Sequence, residues 1–333
     1  MFLSKKTAMH MRWHKEGVCE NDKVMVHPSD GDAWKALDNF DPDVADEERN
    51  VRIGLATDGF TPFSQNAASY TCWPIFAIPY NLPPSLCMKY EFMFLFLIIP
   101  GPEHPGSKLN VMLQPLIQEL KKLWVDVEAY DSFKKKKFTV RVAYLWSVHD
   151  FLAFGIFSGW SVHGNLTCPI CGSDTDCYCL VFGGKITYFD CHRRWLTKSH
   201  TFQSDKVHFR KDVVVRKGPP KRLSGPEIAD QLDNLVLNET GDGYIGFEEE
   251  HNWTHICGIW ELPYAKALIL MHNINIMHQE RNFAESVVSS CLDLPDKIKD
   301  NIKARRDLAS LCNRPSLELT ENGGRPCVPF CLT

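Results

Sequence analysis

The chain has 333 residues, 44% of them apolar and 23% charged, with 37 Lys and Arg against 41 Asp and Glu for a net charge of −4. Such a balance suits a folded globular chain of about two domains, and it excludes an intrinsically disordered chain, a collagen and a simple coiled coil. The longest apolar run, residues 92–100 (FMFLFLIIP), is far shorter than the ~20 residues of a membrane helix and reads as a buried strand. Lys5 and Lys6 stand where a secretory signal needs an apolar core, so the expectation is a soluble, intracellular chain with no membrane partner.

Residues 1–49 are polar, with a short helix predicted over residues 6–14 and loops after it. The pattern changes at Asn50. Residues 51–56 (VRIGLA) read as a strand that runs into Thr57-Asp58-Gly59. Residues 74–79 and 92–99 supply two more strands, separated by the turn residues 81–84. Residues 100–105 form a loop. Between residues 111 and 124, apolar side chains fall at 112, 113, 116, 117, 120, 123 and 124, a helical period. Residues 138–148 alternate and end on His149-Asp150, giving a fourth strand. Residues 261–291 read as a second helical region, of one or two helices. The predicted organisation is a polar segment at 1–49, an α/β core at 50–291 carrying a Cys/His-rich basic insertion at 160–235, and a charged C-terminal segment at 292–333.

Thirteen cysteines is an odd number, which excludes a fully paired disulfide framework and favours a metal site for any clustered subset. Cys168, Cys171, Cys177, Cys179 and Cys191 form such a cluster. Cys168-x-x-Cys171 followed by His192 and His200 matches the donor types of a tetrahedral zinc site, with Cys177, Cys179 and Cys191 as competing ligands. Reduced thiols without metal are the alternative. From Cys191 to Arg222 there are ten basic residues and two acids, so the near-neutral chain carries one strongly basic stretch. Gly241-x-Gly243-x-x-Gly246 fits a dinucleotide fingerprint by letter only. No convincing strand precedes it, and Glu248, Glu249 and Glu250 follow where a pyrophosphate would bind.

Three acids stand out: Asp58 and Asp150 at predicted strand ends, and Glu280 on the late helical region. Two such strands side by side would bring their carboxylates together, and Mg²⁺ or Mn²⁺ would relieve the repulsion. The alternative is that Asp58 belongs to a turn and Asp150 caps the following helix.

Residues 46–63 (DEERNVRIGLATDGFTPF), 72–88 (CWPIFAIPYNLPPSLCM), 98–105 (IIPGPEHP), 113–124 and 148–159 (VHDFLAFGIFSG) resemble the catalytic core of the CACTA-type (En/Spm) transposases of plants. Later segments do so in the same order: CPIC at 168–171, CHRRWL at 191–196, WELPY at 260–264, HNINIMHQERN at 272–282 and KARRDL at 303–308. The resemblance implies an α/β fold with a ribonuclease-H-like mixed sheet flanked by helices. It implies a DDE-type transposase that cuts and joins DNA in the nucleus with Mg²⁺ or Mn²⁺, using Asp58, Asp150 and Glu280. It also favours structural Zn²⁺ on Cys168, Cys171, His192 and His200. Arg193, Arg194 and Lys198 would then face DNA phosphate, with a solvated basic face as the alternative. The implied partners are double-stranded DNA and further copies of the chain. One departure is Asn275, where the family pattern has Asp. That residue and the chain's short length give a second reading, a catalytically inactive remnant that still binds nucleic acid or protein.

Overall fold

Four short helices precede the first strand in the computed structural model: α1 (Lys5–His10), α2 (Trp13–Glu16), α3 (Asp32–Phe40) and α4 (Pro42–Asp46). The structure describes residues 1–17, 24–62, 70–102, 105–294, 297–328 and 331. Phe63, Glu103, His104 and the closing Leu332 and Thr333, which fall in segments read from the sequence, therefore lie outside the described residues. Helices this short are not stable alone. They are held by the core, into which Phe2, Ala8, Met11, Trp34, Leu37 and Val44 are buried. Guanidinium groups lock them further. Buried Arg12 donates to Ala8 O at 2.6 Å, to Glu48 Oε1 at 2.8 Å and to the Asp131 carboxylate. Fully buried Arg52 donates to Asp38 Oδ1 at 2.5 Å and lies over the Trp34 ring. The N-terminal stretch is thus part of the core and not a separate polar segment.

The remaining elements follow in order: β1 (Val51–Thr57), β2 (Trp73–Pro79), α5 (Pro84–Cys87), β3 (Phe94–Ile99), α6 (Leu109–Val125), β4 (Val127–Asp131), β5 (Lys136–Val140), β6 (Val142–His149) and α7 (Phe151–Ser158). Then come β7 (Tyr178–Leu180), β8 (Lys185–Thr187), α8 (Thr201–Ser204), α9 (Gly225–Asp233), β9 (His272–Ile274), α10 (Ile276–Cys291) and α11 (Ile302–Leu311). The chain divides into two compact units. The first holds Met1–Trp160, Leu223–Ile245 and Trp253–Asn275; the second holds Ser161–Arg222, Gly246–Asn252 and Ile276–Thr333.

The first unit is built on a five-stranded mixed sheet of order β3-β2-β1-β6-β9. β1, β2 and β3 form an antiparallel meander, while β6 and β9 run parallel to β1. β1 is almost wholly buried, as a central strand covered on both faces must be. A Cβ on Gly54 would strike the Tyr80 hydroxyl at 2.2 Å and its ring at 2.3 Å, so only glycine lets that side chain lie across the strand, where Tyr80 Oη accepts from Trp146 Nε1. α6 buries Leu109, Leu113, Leu116, Ile117, Leu120 and Trp124, the face that the periodicity predicts.

Three sequence expectations are corrected. The apolar run at 92–100 is the exposed edge strand β3, with Phe94, Leu95, Phe96 and Ile98 between 41% and 52% exposed. An apolar run cannot distinguish an edge from a centre. The strand predicted over 138–148 is two strands: β5 pairs with β4 in a separate hairpin, and Arg141 turns the chain by pairing with Asp41 at 2.7 Å and stacking over Trp124. The helical region predicted over 261–291 is α-helical only from Ile276. Before it come short turns and β9, because Pro263 has no N–H for a helix and Tyr264 is buried against Trp124.

The second unit has little regular structure and an interior of polar cross-links. Asn252 Nδ2 donates to the carbonyls of Ser161, His163 and Leu166. Asp307, on α11, accepts from Phe182 N and Gly183 N, and Arg305 binds Asp300 through two nitrogens. The Cys-rich insertion and the C-terminal segment are therefore one unit. Among the described residues, no helix is long and apolar enough to cross a membrane.

Buried His14 supplies a pH test of the N-terminal packing. Burial, and then the Arg52 charge, depress its pKa to about 3, while Asn81 Nδ2 contacts its Nδ1 at 3.2 Å. The folded state holds this imidazole neutral, whereas the unfolded chain protonates it below about 6.5. The stabilisation is complete above about pH 6.5 and is lost as pH falls toward about 3, at up to about 1.4 kcal/mol per pH unit. Urea unfolding at pH 7 and pH 5 should show His14→Gln losing about 2 kcal/mol less than wild type over that interval.

Candidate active site

Strand register places the acids. β1 and β6 pair in parallel as Leu55 with Ser147 and Ala56 with Val148, and Asp58 and Asp150 each stand one residue beyond the end of their strand. β6 and β9 pair as Val148 with Asn273 and His149 with Ile274, which puts Asp150 opposite Asn275. The Asn275 N–H donates to His149 O at 2.6 Å, in keeping with that row. Asp58, Asp150 and Asn275 thus each follow directly on the end of one of three adjacent parallel strands. Asp58 is exposed; Asp150 and Asn275 are half-buried.

Local chemistry orients each acid. Past Thr57, β1 keeps only its β2 side, through the bridge of Phe60 with Cys72, and the Gly59 N–H donates to Asp58 Oδ1 at 2.7 Å. Asp150 is the N-cap of α7, its Oδ1 accepting from Ala153 N at 2.6 Å. The structure thus shows the turn at Asp58 and the cap at Asp150 that the alternative reading expects. Beneath the row lie two buried imidazoles. His149 stacks on Phe157 at 4.4 Å, and His272 Nδ1 contacts Ser147 Oγ at 2.7 Å. Burial depresses both, His272 to about 3 and His149 well below its ordinary value, so neither puts positive charge under the carboxylates.

Glu280 lies exposed on α10, in the second unit. Among the described residues no group of three or more His, Cys, Asp or Glu side chains is gathered as a metal site. The strand-end row has two carboxylates and one amide. All are hard oxygen donors, which suit Mg²⁺ or Mn²⁺ in type if short of one charge. The sequence marks Asn275 as unusual but does not give its place, because the three-residue β9 is hidden in the predicted helical region. The alternation of His272, Ile274 and Ile276 with Asn273 and Asn275 is the signal that marks it.

In the second unit Cys168 and Cys171 form a tight turn closed by Gly172, whose φ of +56° favours glycine and whose N–H donates to Cys168 O at 2.9 Å. The Cys171 N–H donates to Cys168 Sγ at 3.4 Å. The Cys171 thiol, with the Cys171 and Ile170 N–H groups, holds the Cys168 thiol below its ordinary value. The two thiols form one proton-holding pair, Cys168 shifted down and Cys171 up by their mutual hydrogen bond. His200 also serves as the N-cap of α8, where its Nδ1 accepts from Phe202 N at 3.1 Å, which leaves Nε2 for any ligand. Cys177 contacts Asn165 Oδ1, and Cys191 is buried.

The basic stretch corrects the sequence expectation for two residues. Arg193 and Arg194 are each 3% exposed. Arg193 donates to Phe202 O and Asp205 O at 2.9 and 3.0 Å and stacks over Phe209. Arg194 donates to Gly218 O, Asp174 O and Asp174 Oδ2 at 2.7–2.9 Å. Their guanidinium groups close loops inside the unit and do not face phosphate. Lys198, in contrast, is exposed.

A family model described as transposase family tnp2 matches residues 22–235, more than half of the chain. No curated protein matches it.

Removing the Arg194 side chain should act on stability. Arg194→Ala leaves the Gly218 and Asp174 carbonyls without their donor and should cost about 2–4 kcal/mol. Chemical denaturation monitored by tryptophan fluorescence reads it; a loss under about 0.5 kcal/mol would contradict the cross-link role.

Proposed function

Because the chain belongs to transposase family tnp2, whose activity is on DNA, we propose that it is a DDE-type transposase of the CACTA kind with a ribonuclease-H-like core. The observation that carries this reading is the row of Asp58 and Asp150 at the ends of two parallel central strands. The strand order β3-β2-β1-β6-β9, with the first three antiparallel and the last two parallel to β1, supports the fold. A divalent cation, Mg²⁺ or Mn²⁺, supplies Lewis acidity toward phosphodiester oxygen and lowers the pKa of the attacking water or 3′-hydroxyl. Asp58 and Asp150 would hold it, with their orientation set by the Gly59 N–H and by the α7 cap. Asn275 adds a neutral oxygen beside Asp150. Glu280, on α10, is proposed as the third acid on the resemblance alone. The proposed site of action is the nucleus, on duplex element ends and with further copies of the chain.

A second reading, an inactive remnant that still binds DNA, is favoured by one observation: an amide stands in the strand-end row where a third carboxylate would complete the negative charge. One assay separates the two. Incubated with a terminal-repeat duplex and Mg²⁺ or Mn²⁺, wild type should cleave, and Asp58→Asn, Asp150→Asn and Glu280→Gln should each lose on the order of 100-fold or more. Wild type that binds without cutting, and gains cleavage as Asn275→Asp, would establish the remnant.

Cys168, Cys171, His192 and His200 are proposed to hold a structural zinc, with His200 coordinating through Nε2. Elemental analysis of the purified chain should find one zinc per molecule, lost in Cys168→Ser. Metal-free wild type with its fold intact would rule the site out.

A further inference from the structure

The buried arginines that fail as phosphate contacts point to the residues that succeed. Arg193 ties the turn at 190–195 to Phe202 and Asp205, and Arg194 ties it to Gly218. Gln203 sits inside this loop, its side chain donating to the carbonyls of Arg193 and Leu196 and its backbone carbonyl accepting from Val215 N at 2.8 Å. Residues 196–216 are thereby wrapped around one buried glutamine, although little of the stretch is helix or strand.

Three cations that the sequence spreads over 19 positions stand on this one hydrogen-bonded segment. Lys198 follows Leu196, Lys206 follows Asp205, and Arg216 follows Val215, each within two residues of a backbone group held in the Arg193–Gln203 network. All three are exposed. None has an ion pair or side-chain hydrogen bond among the described residues. Their acidic neighbour Asp205 is already occupied, accepting from the N–H groups of Val207 and His208 and from the His208 ring. Asp174 pairs with Arg194 and Lys217, and exposed Asp212, beside Lys211, is the segment's other acid. Residues 196–216 thus carry five cations against two acids on one hydrogen-bonded segment.

We propose that Lys198, Lys206 and Arg216 form a surface that binds the phosphate backbone of duplex DNA without reading its sequence. This rests on the transposase reading. Three separate cations are point contacts for phosphate oxygens, and the α-helix in the wrapped segment, the four-residue α8, is too short to enter a major groove as a recognition element. The buried guanidinium groups hold the loop in shape, so the surface is formed before DNA arrives and little ordering cost falls on binding.

The full chain is titrated against two unrelated duplexes of about 30 base pairs over a range of salt concentrations, using wild type, the triple variant Lys198→Ala/Lys206→Ala/Arg216→Ala, and a charge-retaining Lys198→Arg/Lys206→Arg variant. Each phosphate contact contributes about 0.9 to the slope of log K against log salt. The triple variant should bind both duplexes more weakly by the same factor, with its slope flattened by about 2 to 3. The charge-retaining variant should keep the wild-type slope. Wild type that binds while the triple variant, shown folded by its circular dichroism melt, keeps an unchanged slope would overturn this surface alone. Wild type that binds neither duplex would overturn the surface and the transposase reading together.

Discussion

The parallel pairing of β1 with β6 is the constraint on which the first unit depends. Parallel neighbours cannot be joined by a tight turn. The chain between them must supply β2, β3, α6 and the β4–β5 hairpin before it can return. That long excursion builds one face of the core, and its closure brings β6 alongside β1. The start of β1 is held just as firmly: Arg52 N–H donates to Asn81 Oδ1, Asn50 Oδ1 accepts from Arg141 N, and the Arg52 guanidinium reaches back to the N-terminal helices. A residue slip in β1 would break these contacts at one end and the pairing of Ala56 with Val148 at the other.

The two units reach stability by different means. The first buries aliphatic and aromatic side chains around a sheet. The second has few regular elements and satisfies its backbone with Arg193, Arg194, Asn252, Arg305 and Asp307, all buried. Hydrogen-bonded interiors of this sort contribute modestly per bond but are costly to disrupt, since each deleted side chain strands several carbonyls or N–H groups. Charge on such a unit cannot be sorted into surface and interior by counting.

That difference explains what was legible in the sequence. β1, β2, β3 and α6 announce themselves through apolar period and turn residues, and Asp58 and Asp150 follow from the ends of predicted strands. Three features leave weaker marks. β9 is too short for its alternation to outweigh the helical spacing around it. Arg141 interrupts a run whose period is unbroken across the break. Arg193 and Arg194 look identical to Lys198 as charges, and only their partners distinguish them. Resemblance to known transposases marked Asn275 as unusual; the β6–β9 register gives that observation its place, next to Asp150.

The same strand order has a consequence during synthesis. β1 meets β2 soon after both emerge, but its other edge waits for β6, which begins roughly 90 residues later. At about 5–20 residues per second, that edge stays unpaired for about 5 to 20 s on the ribosome. β3 meanwhile presents Phe94, Leu95, Phe96 and Ile98 on a strand that remains an edge even in the finished fold. A nascent chain with two open edges, one of them apolar, is a substrate for hydrophobic-segment chaperones and a template for pairing with its neighbours on a polysome. The yield of folded protein would then depend on translation speed between β3 and β6 as much as on the stability of the completed sheet.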